Sequence, residues 1–325
     1  MNILCIGAAG YIGSIVTDKL IEHGHNVVAL DELVKGRGHR KAVNEKARFE
    51  CGDYGDDWLL GSILQENSID TVIHLAAYTN VEESVRNPSI YFNNNVANSL
   101  RLLDTMLKNN VKRIIFSSSA TVYGQTNGRP CREEDDLKPI SAYGESKLMF
   151  ERILRWYKSA YGLDYVTFRY FNVAGATELK GQDHKPESTI IPCLMQAVLN
   201  GKSFNIYGVD YPTEDGTAIR DYVHVSDIAQ AHLLALEKMN KVSGMTFNLS
   251  SVRGYSVRQV VNCASEVIGT VIPTQECPRR LGDPAILLAD STSARLKLGW
   301  TPQYTEMREM IKSAWDWQVK HPNGY

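Results

Sequence analysis

Short apolar runs alternate with helical patterns through the first half of the chain, and this alternation limits the fold more than any other feature. A β-strand buried on both faces reads as a continuous apolar run, whereas a helix carries apolar residues three or four positions apart. Alternating strands and helices favour an α/β fold built on a doubly wound parallel sheet. We predict strands at Ile3–Ile6, Asn26–Leu30, Arg48–Cys51, Thr71–Leu75, Arg113–Ser117 and Tyr165–Arg169. We predict helices at Ile12–His23, Trp58–Glu66, Ile90–Asn109 and Tyr143–Tyr161.

The first predicted strand runs into a glycine-rich turn, in which Gly7, Gly10 and Gly13 are spaced as G-x-x-G-x-x-G. Glycines let the backbone approach a pyrophosphate, and free N–H groups at the start of the next helix bind it. Asp31 follows the second strand, 18 residues after Gly13, where a carboxylate accepts hydrogen bonds from an adenosine ribose. Because a carboxylate there repels a 2′-phosphate, the pattern predicts a Rossmann-type domain that binds NAD rather than NADP.

The pattern of strands and helices loosens after Asn172, where longer polar loops begin. We therefore place an NAD-binding domain at residues 1–175 and a smaller mixed α/β substrate-binding lobe at residues 176–325. In the second half, Arg220–Val225 alternates as a strand and Asp227–Leu236 has helical spacing. We expect segments around residues 221–236 to return and pack on the first domain.

The charge balance gives no sign of a polyanionic partner. Lysine and arginine number 35 and aspartate and glutamate 37, so the net charge is 35 − 37 = −2. We expect neither nucleic acid nor a membrane as a partner, and no stretch approaches the ~20 apolar residues of a membrane span. The six cysteines form no C-x-x-C pair and no metal-ligand spacing. From this spacing we expect no metal site. Since no secretory signal pattern is present, we expect a cytoplasmic location and reduced thiols.

Tyr143 and Lys147 form the only tyrosine–lysine pair in the chain with the lysine four residues later. On a helix the two side chains lie one turn apart on one face. An ammonium group beside a phenol favours the phenolate. A tyrosine pKa of about 10 must fall to about 7, a change of about 4 kcal/mol, for the phenol to act as a base at neutral pH. A lysine together with a cationic nicotinamide would supply that change, although such a pair alone is more often only a helix start.

Serines follow the apolar run Ile114–Phe116, at Ser117, Ser118 and Ser119. They would either hydrogen-bond a substrate hydroxyl or cap the next segment, and the residues themselves leave both interpretations open. The histidines suggest no other chemistry. His74 and His224 lie within apolar strands, and we expect both to be satisfied core residues. A serine hydrolase of the α/β class would carry a G-x-S-x-G turn, which this sequence lacks.

Four spaced motifs extend this interpretation: Gly7–Gly13, Ser117–Gly124, Tyr143-x-x-x-Lys147 and Arg169–Asn172. Together they resemble the extended short-chain dehydrogenase/reductase family and, more narrowly, its UDP-glucose 4-epimerases. The resemblance runs almost end to end. It implies reversible 4-epimerisation of UDP-glucose and UDP-galactose through a transient 4-keto sugar, with tightly bound NAD.

The resemblance also implies roles for individual residues. Tyr143 would be the base, Lys147 would hold the nicotinamide ribose and lower the pKa of Tyr143, and Ser119 would hold or relay the proton at the sugar hydroxyl. The residues implied at the cofactor are Gly7, Gly10, Tyr11, Ile12, Gly13, Asp31, Asp53, Tyr54, Leu75, Ala76, Ala77, Asn94, Ser117, Tyr143, Lys147, Tyr170 and Phe171. The residues implied at the UDP-sugar are Ser119, Tyr143, Asn172, Thr189, Ile190, Tyr207, Arg220, Arg280, Asp283 and Leu287. Arginine forks suit a diphosphate, although composition alone makes each arginine more often a surface charge.

The chain departs from the family pattern at two positions. Thr79 stands where the family often has lysine, which removes one cation near the cofactor, and Thr189 stands where it often has asparagine. Leu287 occupies a position at which an aromatic residue would exclude an N-acetyl group and a small residue would admit one. Leucine is intermediate. We therefore expect UDP-glucose and UDP-galactose as the main pair, with weak activity on N-acetylhexosamines.

Two rival functions are compatible with much of this pattern. Another nucleotide-sugar enzyme, such as a 4,6-dehydratase, a decarboxylase or a UDP-pentose 4-epimerase, shares most of the motifs. The segment Ala120–Val122 lacks the acidic pair expected of a dehydratase. A non-catalytic NAD-sensing regulator on the same fold would not need Tyr143, Lys147 and Ser119 together.

Apolar residues on two predicted helices suggest a homodimer, as in related proteins. They are Leu100, Leu103 and Leu107 on one helix, and Met149, Ile153 and Trp156 on the other. Paired across a two-fold axis, these helices would form a four-helix bundle. In the alternative, both stripes pack only on the sheet.

Overall fold

The computed structural model describes residues 1–34, 38–280 and 282–325. Its strands are β1 Asn2–Ile6, β2 Asn26–Asp31, β3 Arg48–Cys51, β4 Thr71–His74, β5 Arg113–Ser119, β6 Asp164–Tyr170, β7 Asn172–Ala174, β8 Phe204–Tyr207, β9 Ile219–His224, β10 Met245–Leu249, β11 Gly254–Ser256, β12 Thr274–Cys277 and β13 Ile286–Leu287. Its α-helices are α1 Tyr11–Glu22, α2 Asp57–Glu66, α3 Val81–Arg86, α4 Pro88–Phe92, α5 Ser99–Lys108, α6 Ala142–Tyr161, α7 Ile190–Leu199, α8 Val225–Val242, α9 Val257–Ile268 and α10 Met307–Lys320.

A seven-stranded parallel sheet forms the first lobe, in the order β10-β6-β5-β4-β1-β2-β3. Apolar side chains from both faces of its strands pack under helices, which produces two buried clusters on opposite sides of the sheet. The strand order changes direction between β4 and β1. Ligands of such sheets bind beyond the carboxyl ends of the strands at this switch point. The predicted α/β fold with a doubly wound parallel sheet is confirmed.

The chain returns to this sheet late in the sequence. Helix α8 runs from Val225 to Val242, longer than the predicted Asp227–Leu236, and packs against α1. Strand β10, which the sequence pattern did not reveal, then pairs in parallel with β6. The large sheet is therefore completed by residues up to Leu249, and the two lobes are interleaved in sequence.

The second lobe surrounds a smaller apolar cluster between α7, α9 and α10. It contains β9 with β11, β13 and β7 as partners, and a separate parallel pair of β8 and β12. In the described residues, no helix is both long and apolar enough to cross a membrane.

The predicted helix Ile90–Asn109 proved to be three consecutive segments. Helix α4 continues into a π-helical segment, Asn93–Asn98, and then into α5. Such π segments are frequent at functional sites. Here the side-chain amide of Asn95 donates to the Tyr78 carbonyl at 3.0 Å and to Ser146 Oγ at 3.1 Å. The π segment thus fixes the loop after β4 to the first turns of α6.

The buried histidines are only partly as expected. His224 ends β9, where its ring accepts from the Ser226 N–H and pairs with Ser313 Oγ. His74 Nε2 lies 2.9 Å from Ser99 Oγ, but its Nδ1 is buried and has no hydrogen-bond partner among the described residues. Burial, together with the nearby positive charge of Lys147, lowers the pKa of His74 to about 3, so the ring is neutral.

A buried ion pair joins the central strands to α6. Arg169 on β6 and Glu151 on α6 pair at 2.7 Å with side chains that are 1% and 2% exposed. Glu151 also accepts from Ser118 on β5, and Arg169 donates to the Tyr123 hydroxyl at 2.9 Å. The remaining hydrogen-bonding capacity of both charges is thus used, as a buried pair requires.

We expect Glu151→Gln to lower the free energy of unfolding by about 3–5 kcal/mol, because the guanidinium of Arg169 would lose its buried counter-charge. Chemical denaturation measures this change. The matched control is Asp316→Asn, which breaks the exposed Lys312–Asp316 pair on α10 and should cost no more than about 0.5 kcal/mol. Equal small effects of the two substitutions would contradict the role given to the buried pair.

Candidate active site

A deep cleft, with a volume of about 770 Å³, lies between the carboxyl ends of the large sheet and the second lobe. Most residues predicted at the cofactor line it: Gly7, Gly10, Tyr11, Ile12, Gly13, Asp31, Tyr54, Leu75, Ala76, Ala77, Asn94, Tyr143, Tyr170 and Phe171. Every residue predicted at the UDP-sugar lines it too: Ser119, Tyr143, Asn172, Thr189, Ile190, Tyr207, Arg220, Arg280, Asp283 and Leu287. Three predicted cofactor residues are not among those that line it: Ser117 and Lys147 are buried behind this surface, and Asp53 is exposed to solvent.

The glycine turn has no room for side chains. A Cβ on Gly13 would lie 2.0 Å from the Gly7 carbonyl oxygen, and a Cβ on Gly7 would lie 2.7 Å from the Ala76 nitrogen. Gly7 also has a positive φ of 82°, a conformation that favours glycine. Helix α1 begins within this glycine segment, at Tyr11, and its N-cap, Gly10, provides no side-chain hydrogen bond. The turn therefore offers backbone N–H groups to a diphosphate, which fits NAD.

Asp31 stands at the end of β2, beside the glycine turn. Its Oδ2 accepts from the Ala9 N–H at 3.0 Å and its Oδ1 accepts from the Leu33 N–H at 2.9 Å. These bonds fix the carboxylate, yet each oxygen keeps a second lone pair. Burial raises its pKa, and the two backbone hydrogen bonds oppose that change. A fixed acceptor at this place suits the hydroxyls of an adenosine ribose.

Asp53 hydrogen-bonds the turn after β3, and its contact with the cofactor stays a prediction. Its carboxylate accepts from the Gly55 N–H at 2.8 Å and from the Asn98 amide at 3.4 Å. Its neighbours Gly52 and Tyr54 line the cleft instead. Asp53 therefore shapes the turn after β3 and does not itself face the cleft.

Tyr143 and Ser119 meet at the centre of the cleft because α6 begins against the end of β5. Ser141 caps α6 by accepting from the Gly144 N–H at 3.1 Å. Gly144 allows a close approach, since a Cβ there would lie 2.7 Å from the Thr121 carbonyl oxygen. Ser119 Oγ accepts from the Thr121 N–H and also hydrogen-bonds Tyr143. Ser119 thus caps the next segment, as one of the two interpretations expects, and its hydrogen bond to a substrate hydroxyl stays a prediction.

Lys147 lies one helical turn below Tyr143 and is fully enclosed. Its Nζ donates to the Ser117 carbonyl at 2.7 Å and stands 4.9 Å from the centre of the Phe116 ring. Burial lowers the pKa of Lys147 to about 7, and the negative charge of Glu151 opposes this change. The ammonium nitrogen is 6.0 Å from the centre of the Tyr143 ring.

The surroundings that the chain itself provides shift the pKa of Tyr143 upward, and the lowering expected from Lys147 and a cationic nicotinamide together stays a prediction. Burial raises the pKa of Tyr143 above its usual value, and the hydrogen bond with Ser119 only partly offsets this. The positive charge of Lys147, which would oppose this change, is itself disfavoured by burial, since burial lowers the pKa of Lys147 to about 7. A phenolate at neutral pH therefore needs a further positive charge beside the ring.

Tyr170 links the cleft to the core. Its hydroxyl lies 2.8 Å from Ser117 Oγ and 2.9 Å from His232 Nε2. Ser117 thus supports the site from behind, through its carbonyl to Lys147 and its hydroxyl to Tyr170, rather than by lining the cleft.

The opposite wall of the cleft carries two arginines. Arg220 on β9 pairs with Asp283 at 3.4 Å, and the guanidinium of Arg280 lies 4.0 Å from the centre of the Tyr207 ring. Leu287 on β13 stands in register with Arg220. The wall therefore places cations, one aromatic face and one apolar side chain together, which suits a nucleoside diphosphate attached to a sugar.

Sequence reasoning missed polar residues of the long loop between β7 and α7. Gln182, His184 and Glu187 line the cleft. The Gln182 amide donates to Thr189 Oγ1 at 2.7 Å and to Glu187 Oε2 at 2.9 Å. Burial raises the pKa of Glu187 to about 7. The length of this loop could have indicated these residues, because long loops without secondary structure within a domain are usually functional.

Within the described ranges, no group of three or more His, Cys, Asp or Glu side chains is arranged to hold a metal ion.

Known proteins share this architecture over their whole length. The UDP-glucose 4-epimerase of Lactobacillus helveticus is 46% identical over 329 residues, which cover 100% of this chain and 99% of that protein. A crystal structure of a UDP-glucose 4-epimerase superposes with a TM-score of 0.96 at 42% identity and covers 100% of this chain and 99% of that one. The Bifidobacterium longum UDP-glucose 4-epimerase, solved in complex with NAD+ and UDP, superposes with a TM-score of 0.94 at 36% identity over the full length of both chains. Residues 3–250 match the family model described as the NAD dependent epimerase/dehydratase family, and this chain belongs to that family.

Proposed function

We propose that this protein catalyses the reversible inversion of carbon 4 of the hexose in UDP-glucose and UDP-galactose. The observation that carries the proposal is the arrangement of one cleft. Its first wall has the glycine turn with Asp31, its centre has Tyr143 and Ser119, and its second wall has two arginines. The full-length similarity to proteins named UDP-glucose 4-epimerase supports the same reaction.

NAD, when bound along the glycine turn, supplies the acceptor and donor of hydride for carbon 4. Asp31 would hold its adenosine ribose, and Lys147 would reach its nicotinamide ribose from below the tyrosine. The residues present fit this cofactor because the turn excludes side chains and the start of α1 leaves its N–H groups uncapped by any side chain.

Tyr143 is the proposed base. Its phenolate takes the proton of the 4-hydroxyl, and Ser119 holds that hydroxyl or relays the proton. After the 4-keto sugar has turned to present its other face, Tyr143 returns the proton to the same oxygen. Proton transfer by a positioned side chain typically contributes about 10²–10⁴-fold to the rate.

The two arginines serve this turnover by holding the UDP part while the sugar moves. Arg220 and Arg280 would bind the diphosphate, with Asp283 orienting Arg220 and Tyr207 lying near the uracil. The sugar would then be the mobile part of the substrate. The cleft, at about 770 Å³, has the size of a site for ligands of this kind.

A second part of the proposal concerns the choice of sugar. Leu287 is 7% exposed and packs beside Phe171 at the cleft wall. Its side chain limits the space that an N-acetyl group would occupy. UDP-glucose and UDP-galactose are then the main pair, with weak activity on N-acetylhexosamines.

A homodimer completes the proposal. Leu100 on α5 and Met149 and Trp156 on α6 are exposed on neighbouring helices, Trp156 to 75%. Leu103, which we expected on the same stripe, is instead fully buried against the sheet. An exposed apolar patch of this kind favours pairing with a second copy across a two-fold axis.

Tyr143→Phe should retain bound NAD but lower the conversion of UDP-galactose to UDP-glucose by about 10²–10⁴-fold, because it removes only the proton-accepting oxygen. The assay uses purified protein with UDP-galactose and no added cofactor, and the bound NAD is quantified after denaturation. Turnover close to that of the unsubstituted protein would reject Tyr143 as the base.

Leu287→Tyr should reduce activity on UDP-N-acetylglucosamine far more than activity on UDP-glucose, because the ring would fill the space beside the sugar. Leu287→Ala is the matched variant and should move the ratio of the two activities in the opposite direction. The ratio is measured with both substrates on each variant. A ratio that both substitutions leave unchanged would place the sugar elsewhere.

Trp156→Glu should convert the dimer into a monomer at micromolar concentration, since a carboxylate would be buried at the two-fold interface. Light scattering gives the mass. Trp58→Glu is the control, because Trp58 is equally exposed, at 79%, but lies on α2 outside the proposed interface. A monomeric unsubstituted protein, or dissociation by both substitutions, would contradict the four-helix bundle.

A further inference from the structure

A segment that crosses between the lobes forms part of the cleft. Residues 177–189, here called the crossing segment, lie between β7 and α7. Its inner side lines the cleft through Gln182, His184, Glu187 and Thr189. Gly38 lines the same cleft close to Asp31, since a Cβ on Gly38 would lie 2.7 Å from Asp31 Oδ1. The crossing segment and the ribose-binding wall thus border one space.

The outer side of the crossing segment is held by Tyr325, the last residue of the sequence. The Tyr325 hydroxyl accepts from the Gly181 N–H at 3.1 Å and donates to the Gly181 carbonyl at 3.1 Å. The Tyr325 backbone N–H donates to Asp183 Oδ2 at 3.2 Å. Its ring lies 5.3 Å from the rings of both His39 and Trp317. One side chain therefore touches the crossing segment, α10 and the dinucleotide-binding domain.

Asp183 connects Tyr325 to the glycine turn through His39. It is 8% exposed, and His39 Nε2 lies 2.8 Å from its carbonyl oxygen and 3.5 Å from its carboxylate. The His39 N–H donates to the Ala9 carbonyl at 3.0 Å, and the Ala9 N–H donates to Asp31. A continuous set of hydrogen bonds therefore runs from Tyr325 through Asp183 and His39 to Asp31.

Two glycines, Gly324 and Gly181, allow the chain segments in this contact to approach each other closely. Gly324 has a φ of +80°, and a Cβ there would lie 1.8 Å from Asp183 Oδ2. A Cβ on Gly181 would lie 2.4 Å from the Trp317 ring. A second anchor is the Lys180–Asp18 ion pair at 2.6 Å, which ties the crossing segment to α1.

We propose that Tyr325 is a positioning residue that, through Gly181 and Asp183, holds the crossing segment against the dinucleotide-binding wall and thereby slows the release of NAD. This inference rests on the NAD binding of the proposed function and adds to it the element that controls retention. NAD leaves through the space that the segment covers, so its release requires the contacts of Tyr325 to open first. The tyrosine touches neither NAD nor the sugar.

Tyr325→Phe tests the proposal most narrowly, because it keeps the ring and removes both hydrogen bonds to Gly181. We expect NAD to dissociate about tenfold faster, the factor that corresponds to about 1.4 kcal/mol. Tyr325→Ala and Gly324→Ala should accelerate release further, since the first also removes the ring contacts and the second forces the backbone away from Asp183. Release is followed by diluting NAD-loaded protein into a solution of an NAD-hydrolysing enzyme and measuring the NAD that remains bound.

The control is Tyr255→Phe, which likewise removes a hydroxyl in the second lobe, one that accepts from the Met307 N–H at 3.4 Å, but from a ring that is not among those that line the cleft. Tyr255→Phe should leave the rate of NAD release unchanged, although we expect it to shift the midpoint of thermal unfolding about as much as Tyr325→Phe does. Excess NAD should restore the turnover of Tyr325→Phe. An unchanged release rate in Tyr325→Phe, Tyr325→Ala and Gly324→Ala, or equal acceleration by Tyr255→Phe, would overturn the proposal. Because NAD release is measured without sugar nucleotide, this result is independent of whether the protein epimerises UDP-hexoses.

Discussion

The structure around the proposed active site depends on holding the amino group of Lys147 in a buried position. It is 3% exposed, one turn from Tyr143, and donates to a backbone carbonyl of β5. Burial disfavours its charge and lowers its pKa to about 7. Burying such a lysine lowers the free energy of unfolding, a loss that proteins commonly carry at residues needed for activity. The elements around it hold it in place: β5 supplies the acceptor, α6 supplies the helix, and the Glu151–Arg169 pair fixes both from beneath.

The cleft takes its two walls from both lobes, and the lobes are interleaved in sequence. The tyrosine and lysine are presented by α6 at the carboxyl ends of the parallel strands, while the arginines and Leu287 come from β9, β13 and the loop before β13. Strand β10 returns the chain to the first sheet beside β6, and α8 packs on α1. The second wall of the cleft is thereby fixed relative to the first. A substrate held at its diphosphate by that wall reaches Tyr143 at the other end of the cleft.

Local patterns were enough to predict strands β1 to β6 and helices α1, α2 and α6, because continuous apolar runs, helical spacing and glycine turns report directly on backbone conformation. They were not enough for β10, whose five residues follow a long helix and depend on β6 for their pairing. The direction of the Tyr143 pKa shift was also beyond them, since it depends on how deeply the phenol and Lys147 are buried. The contact between His39, Asp183 and Tyr325 joins residues more than 140 positions apart, and no local spacing indicates it.

The most direct measurement of the central claim is the pKa of the Tyr143 phenol with and without NAD. Carbon-13 labelling of the tyrosine rings, with Tyr143→Phe to assign one signal among 16 tyrosines, gives that titration by NMR. We expect the pKa without NAD to lie above the usual 10.0. With NAD bound, the charge of Lys147 and the positive nicotinamide ring should bring the pKa of Tyr143 down below that value. A phenol that still titrates above 10.0 in the NAD-loaded protein would contradict the role of Tyr143 as a base.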